Sequence, residues 1–141
     1  MPLFEQVLDS YPETVKVVFK HYPLSFHKKA LPAALASLAA AEQGKFWEYH
    51  DELFFNQSSL SNQKYREIAK DIGLNQEKFN KDFLRPSLRK KVEQDLADGK
   101  KAGVTGTPTI FINGRRVKKR NFAAFKEMIN EELNRIKKAG N

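Results

Sequence analysis

The 141-residue sequence contains no cysteine. This absence excludes disulfide bonds, thiolate nucleophiles and cysteine-ligated metal sites formed from these residues. It also leaves the redox compartment undetermined, because neither a disulfide framework nor a pattern of free thiols can be identified. Any sulfur-based redox chemistry must therefore use cysteines outside this sequence.

Long apolar runs are lacking as well. No segment approaches the roughly 20 apolar residues that a membrane-spanning helix needs. The stretch Met1–Glu5 has neither a basic start nor an apolar segment of signal-peptide length. We therefore expect no membrane span and no export signal within these residues. At 141 residues the chain has the size of one domain, and such a domain buries roughly 70% of the surface of its unfolded form.

Positive charge is in excess, with a formal net charge of +8 at pH 7. Most lysines and arginines between residues 64 and 93 alternate with acidic residues, which is typical of solvent-exposed helix surfaces. The one dense basic cluster comprises Arg115, Arg116, Lys118, Lys119 and Arg120. Two interpretations stay open for it, a solvated hairpin and a contact site for an anionic partner. Nucleic acid is not an expected partner, because no aromatic residues interleave with the cluster and no nucleic-acid-binding motif is present.

The hydrophobic pattern predicts one helix, one strand, a long helical block, a hairpin and a final helix. The predicted helices are 4–11, 27–44, 46–54, 61–72, 75–83, 86–103 and 121–136, and the predicted strands are Val15–His21, Thr109–Ile112 and Arg115–Lys118. Asn113-Gly114 is the strongest two-residue hairpin signal. Ser61, Asn75 and Asn121 are residue types that cap helix N-termini. The block between the strand regions is therefore expected to be entirely helical.

Other constellations in the sequence favour ordinary structural roles. The Gly103-x-x-Gly106 spacing has no lysine to reach a phosphate and precedes a strand, unlike a phosphate-binding loop. The histidines at 21, 27 and 50 lie far apart and have no zinc-type spacing, so no metal site is expected. His50 and Asp51 are not expected to form a catalytic triad, because no nucleophile is positioned beside them. The serines at 58, 59 and 61 fit turn and capping roles.

Several motifs, taken together in order and spacing, resemble those of the DsbA-like thiol-disulfide oxidoreductases of the thioredoxin-fold superfamily. They are VFKHYPL at 18–24 followed by His27, QGKFWEYHDELF at 43–54, GL at 73–74 and GVTGTPT at 103–109. The resemblance covers nearly the whole chain. It implies an α/β, thioredoxin-like fold with a large all-helical insertion in one domain, 1–141. Residues 1–26 and 103–141 would form the thioredoxin-like part and 27–102 the insertion.

The resemblance also implies a substrate-binding site. In such proteins a cis Thr-Pro peptide lies beside the reactive Cys-x-x-Cys and lets a substrate strand approach the sulfurs. The residues that match are Thr107 and Pro108, with Gly106 and Val104 next to them. No catalytic residue can be carried over, because the Cys-x-x-Cys is absent, and no cofactor or metal is expected.

The sequence departs from the family pattern at its N-terminus. It resembles a chain truncated after the Cys-x-x-Cys, so that the strand which would be central in the sheet is missing. That strand would lie between Val15–His21 and Thr109–Ile112, and its loss would leave unpaired backbone groups on both. We expect the gap to be closed by direct pairing of the remaining strands, or by strand or helix exchange in a homo-oligomer.

Two functional hypotheses follow. The first is a piece of a thiol-disulfide oxidoreductase that acts outside the cytoplasm, in the periplasm or after secretion. Its substrates would be extended or unfolded proteins, and it would have a separate redox partner. These residues alone would be redox-inactive. The second is a cysteine-free relative that binds extended peptides in a groove at Pro108, as a chaperone or interaction module. An unrelated role, such as contact of an anionic partner with the basic cluster, stays open beside them.

Overall fold

The computed structural model describes residues 2–140 of the chain. These residues form α1 (Pro2–Ser10), α2 (Ala30–Ala41), α3 (Phe46–Phe55), a 3-10 turn (Gln57–Ser59), α4 (Asn62–Asp71), α5 (Gln76–Phe83), α6 (Pro86–Lys101), β1 (Phe111–Ile112), β2 (Arg115–Arg116) and α7 (Phe122–Ala139). The predicted helical block, hairpin and final helix are therefore confirmed, with strands shorter than expected.

Three helices begin at the caps that the sequence predicts. The side chains of Ser61, Asn75 and Asn121 each accept a hydrogen bond from the backbone N–H three residues later, at 3.1, 2.8 and 2.8 Å respectively. Each cap satisfies one of the N–H groups that have no partner within the helix, which stabilises it by about 1 kcal/mol. Local side-chain chemistry thus fixes where α4, α5 and α7 start.

Tertiary contacts divide the chain into two compact units. One comprises the described residues up to Phe19 together with those from Gly106 onward, and we call it the hairpin unit. The other comprises Lys20–Thr105, and we call it the helical unit. The boundary at Thr105-Gly106 falls two residues before Pro108, so the predicted substrate-binding residues are shared between the units.

The helical unit is organised around α2, which packs against α3, α4, α5 and α6. Small side chains on α2 let the neighbouring helices approach closely, while large rings fill the space between them. The fully or almost fully buried residues of this core include Ala36, Ala39, Ala40, Tyr49, Tyr65, Ile68 and Phe79. The alanine-rich sequence of α2 is thus explained by its central position.

The hairpin unit has a smaller core, in which α1 packs against α7. Its buried residues are Val7, Val117, Phe125 and Ile129, and Ile110 and Ile112 pack against them. Strands β1 and β2 pair antiparallel, with Phe111 opposite Arg116 and Ile112 opposite Arg115. The turn between them has φ of 47° at Asn113 and 80° at Gly114, and two successive positive φ angles are typical of a type I′ hairpin.

The stretch Val15–His21, predicted to be a strand, is irregular. In the described part of the chain the sheet consists of β1 and β2, and Val18 stays 63% exposed. β-branched residues favour an extended backbone, but a strand also needs a neighbour with which to form a ladder. The expected closure of the sheet by direct pairing is therefore wrong within one chain, whereas exchange between chains stays a prediction.

Candidate functional site

The segment before β1 is shaped by a backbone turn at Pro108. The peptide bond between Thr107 and Pro108 is cis. The hydroxyl of Thr109 donates a hydrogen bond to the carbonyl oxygen of Gly106 at 2.7 Å, which closes the turn from within. Thr107 and Pro108 are both exposed. The turn therefore presents these two residues to solvent at the entrance to the hairpin.

A groove of about 310 Å³ lies beside this turn in the hairpin unit. Its aliphatic lining comes from Pro108, Ile110 and Val117, together with the small side chain of Thr109. The backbone N–H of Val117 donates to the carbonyl oxygen of Ile110 at 2.9 Å, which extends the hairpin ladder by one bond beyond β1 and β2. Backbone pairing thus holds the two sides of the groove together. We call it the Pro108 groove.

The charged residues that line the Pro108 groove are all cationic. They are Arg116, Lys118 and Arg120, each with an exposed side chain. The groove therefore combines a few aliphatic side chains with three cationic ones, and its exposed surface is more polar than apolar. The sequence predicted the peptide site and the basic cluster as separate features, and the structure brings Pro108 and three members of the cluster together.

Arg115 is placed differently from its neighbours in the basic cluster. Its guanidinium group donates to Glu131 at 2.8 Å and to Glu132 at 3.0 Å, both on α7. The hydrogen bond from Arg115 lowers the pKa of the Glu132 carboxyl, and the charge of Arg135 acts in the same direction. Successive residues of a strand point to opposite faces, which explains why Arg115 contacts α7 while Arg116 lines the groove. Lys119 is exposed and is not part of the lining.

The remaining predicted substrate-binding residues do not line the groove. Val104 belongs to the helical unit, where its carbonyl oxygen accepts a hydrogen bond from the Tyr22 hydroxyl at 2.8 Å. Gly106 uses its carbonyl oxygen within the turn, and Thr107 is exposed beside Pro108. Of the four predicted residues, Pro108 alone is part of the groove lining.

Three lining residues were not predicted as part of the site, namely Thr109, Ile110 and Val117. Thr109 and Ile110 directly follow Pro108, so their inclusion could have been inferred from adjacency. Val117 could have been inferred from the hairpin register, because an Asn113-Gly114 turn places residues 110 and 117 opposite each other. Both signals were present in the sequence.

The histidines form no ligand group for a metal ion. Within residues 2–140, no cluster of three or more His, Cys, Asp or Glu side chains is arranged to hold one. The backbone N–H of His21 instead donates to the buried carboxylate of Asp95 at 3.0 Å, whereas His27 is exposed against Phe26. The same residues contain no helix that is long and apolar enough to cross a membrane.

The chain is similar to one protein-family model and to several curated proteins. A family model described as thioredoxin matches residues 2–131. Among curated proteins, a Na(+)/H(+) antiporter NhaA of Herminiimonas arsenicoxydans is 36% identical over 77% of this chain and 17% of its own length. The Na(+)/H(+) antiporter NhaA 3 of Salinispora tropica is 36% identical over 82% of this chain and 18% of its own length. The chain thus spans less than a fifth of the length of these relatives.

Solved structures give the same picture of the fold. A thioredoxin-like oxidoreductase from Silicibacter pomeroyi DSS-3 superposes with a TM-score of 0.76 at 22% identity, over 95% of this chain and 77% of that one. The thiol-disulfide exchange protein alpha-DsbA2 from Wolbachia pipientis superposes with a TM-score of 0.77 at 18% identity, over 92% and 71%. The predicted thioredoxin-like fold with a helical insertion is confirmed by these likenesses.

Proposed function

The chain belongs to the thioredoxin family, and from this premise we propose that it binds extended polypeptide segments in the Pro108 groove. In this proposal the residues supply the substrate-binding part of a thiol-disulfide oxidoreductase domain and leave the redox step to cysteines outside these 141 residues. The observation that carries the proposal is the open groove beside the exposed Pro108, with an aliphatic lining held by paired backbone.

The groove has features that suit an extended chain. Pro108 has no backbone N–H, so a ligand that covers its ring does not bury an N–H group without a hydrogen-bond partner. Among residues 2–140, β1 pairs with β2 alone, so in a protein that lacks the central strand of the family the other edge of β1 can pair with an added strand. Main-chain pairing at such an edge gives affinity that is largely independent of sequence, and a lined groove adds side-chain contacts.

The redox part of the proposal follows from the electron balance of disulfide exchange. A thiolate must attack a disulfide sulfur and form a mixed disulfide, which a second thiol then resolves. The chain has no cysteine to take either role. We therefore propose that these residues are redox-inactive alone, and that a longer protein containing them would act on exported proteins outside the cytoplasm with a separate redox partner.

A cysteine-free peptide-binding or chaperone-like module is the second candidate. It is favoured by one observation, the combination of a formed groove with the complete lack of thiols. The ion antiport named for the relatives is not part of either proposal, because the matched segment is less than a fifth of their length. The coding sequence upstream of the Met1 codon discriminates between the two candidates: an in-frame Cys-x-x-Cys favours the first, and an in-frame stop favours the second.

The binding proposal is tested with a fluorescently labelled, uncharged, cysteine-free peptide and anisotropy titration. Replacing Pro108 with Ala removes about two methylene groups of ring surface, so we expect the affinity to fall about tenfold. The matched control is Pro12→Ala, which alters an exposed proline outside the groove lining. Equal affinities for the two variants, both folded by circular dichroism, would show that the groove is not the peptide site.

The redox part is tested separately by reduction of insulin disulfides with dithiothreitol as electron donor. We expect the rate with this chain to equal the rate without protein, while a Cys-x-x-Cys enzyme in the same assay accelerates it. Acceleration by the cysteine-free chain would contradict redox inactivity and leave the binding result untouched.

A further inference from the structure

We infer that the Pro108 groove selects extended peptide segments that carry Asp or Glu side chains. This inference rests on the proposed peptide binding and adds a substrate class to it. It is based on the difference between the paired and unpaired cations of the hairpin, on the aliphatic lining of the groove and on the position of the groove near the start of α7.

The first argument concerns which cations are available to a ligand. In the described part of the chain, Arg116, Lys118 and Arg120 form no salt bridge, whereas Arg115 is held between Glu131 and Glu132. Two carboxylates of α7 are therefore used by Arg115. The three groove cations thus have no carboxylate partner among the described residues.

The second argument concerns the local field. Arg120 directly precedes Asn121, the N-cap of the 18-residue helix α7. The N-terminus of a helix carries a partial positive charge, which adds to that of the groove cations. No acidic side chain lines the groove. A carboxylate that enters the groove thus meets cationic side chains and no acidic one among the lining residues.

The third argument separates peptides from nucleic acids. Base recognition in single strands uses aromatic rings on which bases stack. The described lining of the groove contains no aromatic ring and is instead aliphatic at Pro108, Ile110 and Val117. In an extended peptide, alternate side chains point to opposite sides. A peptide that alternates apolar and acidic residues therefore offers one side to the aliphatic residues of the groove and the other to its cations.

The inference is tested with three labelled peptides that differ only at alternate positions, occupied by Glu, Gln or Lys. Exposed ion pairs are individually weak, and three of them together correspond to about a tenfold gain in affinity. We expect the Glu peptide to bind about tenfold more tightly than the Gln peptide and the Lys peptide to bind least. Raised salt should reduce the difference between Glu and Gln peptides, because exposed charges are screened.

Two triple variants give a matched comparison. Arg116→Gln/Lys118→Gln/Arg120→Gln should abolish the preference for the Glu peptide and retain binding of the Gln peptide. Lys70→Gln/Lys81→Gln/Lys90→Gln removes the same charge from exposed helix positions outside the groove and should keep the preference. Equal loss in both triple variants would mean that net charge, not the groove, attracts the peptide, and would overturn the inference.

The outcomes distinguish the inference from the function on which it rests. One outcome is that the Gln peptide binds the parent protein more tightly than the Pro108→Ala variant while the Glu peptide binds no more tightly than the Gln peptide. In that case the acidic preference is wrong and the proposed peptide binding stands. If no peptide binds, the proposed function fails as well. Tighter binding of a single-stranded oligonucleotide than of the Glu peptide, lost in the groove triple variant, would replace the peptide by a nucleic acid.

Discussion

Buried carboxylates of the helical unit and the exposed cations around the Pro108 groove differ in whether they have a charged partner. In the helical unit, the buried Asp82 pairs with Lys78 at 2.6 Å and with Arg85 at 3.0 Å. The buried Asp95 pairs with Lys91 at 3.0 Å. In the hairpin unit, three cations around the Pro108 groove have no carboxylate partner among residues 2–140. The buried carboxylates of the helical unit are thus matched within it, whereas the cations around the groove are exposed and unmatched.

Two aromatic rings, Phe79 of the helical unit and Phe111 of the hairpin unit, differ in their burial. In the helical unit, Phe79 is fully buried and packs against Tyr49 and Phe83, with ring centroids 5.7 and 5.9 Å apart. The Tyr49 hydroxyl donates to the carbonyl oxygen of Tyr65 at 2.9 Å, and burial raises the pKa of Tyr49. In the hairpin unit, Phe111 on β1 remains 37% exposed. The Phe79 ring is therefore part of a packed core, whereas the Phe111 ring is partly in contact with solvent.

The largest expected effect contrasts two phenylalanines. Phe79→Ala should lower the free energy of unfolding by about 3–5 kcal/mol, because it leaves a cavity among the rings of the helical unit. Phe111→Ala should lower it by less than about 1.5 kcal/mol, because that ring is already partly in solvent. Denaturant unfolding measures both values. Similar losses for the two variants would contradict the difference in burial between the two rings.

The second prediction concerns the pH dependence of stability in the helical unit. Burial lowers the pKa of His21 to about 4; Asp95 opposes this shift, and Lys91 and His50 add to it. Between about pH 6.5 and about pH 4 the unfolded chain binds a proton at His21 that the native state does not. The free energy of unfolding should therefore fall by up to about 3 kcal/mol from this residue as the pH drops through that range.

The contribution of His21 is isolated by substitution. His21→Gln should show a smaller fall in the free energy of unfolding over the same pH range, measured by urea denaturation at each pH. His27→Gln, at an exposed position, serves as the control and should keep the fall of the parent protein. If the His21→Gln curve parallels the parent curve, the native state does not keep this imidazole neutral.

The smallest predicted effect lies where α6 meets Tyr22 within the helical unit. A Cβ atom at Gly99 would lie 2.8 Å from two carbons of the Tyr22 ring. Gly99→Ala should therefore cost about 1–2 kcal/mol, since the crowding outweighs the better helix propensity of alanine. Ala97→Gly, at an exposed position of the same helix, provides a comparison in which propensity acts alone. A more stable Gly99→Ala protein would show that the Tyr22 ring moves aside freely.

Local features of the fold could be predicted from the sequence. The caps at Ser61, Asn75 and Asn121 and the Asn113-Gly114 turn are confirmed because each depends on residues within a few positions of one another. The strand at Val15–His21 was wrong because a strand depends on a partner that the local sequence does not specify. The family resemblance points to Pro108 as a residue of the candidate groove, whereas including Val117 requires the hairpin register.

By itself, the sequence determined that no thiol is available, that the middle of the chain is helical and that a basic hairpin follows Pro108. The tertiary structure decided which of the five hairpin cations are available to a ligand. Arg115 and Arg116 are adjacent and chemically identical, yet one is neutralised by α7 and the other lines the groove. The physical reason is that strand alternation and the packing of α7 set the partner of each side chain, and neither can be deduced from the number of charges alone.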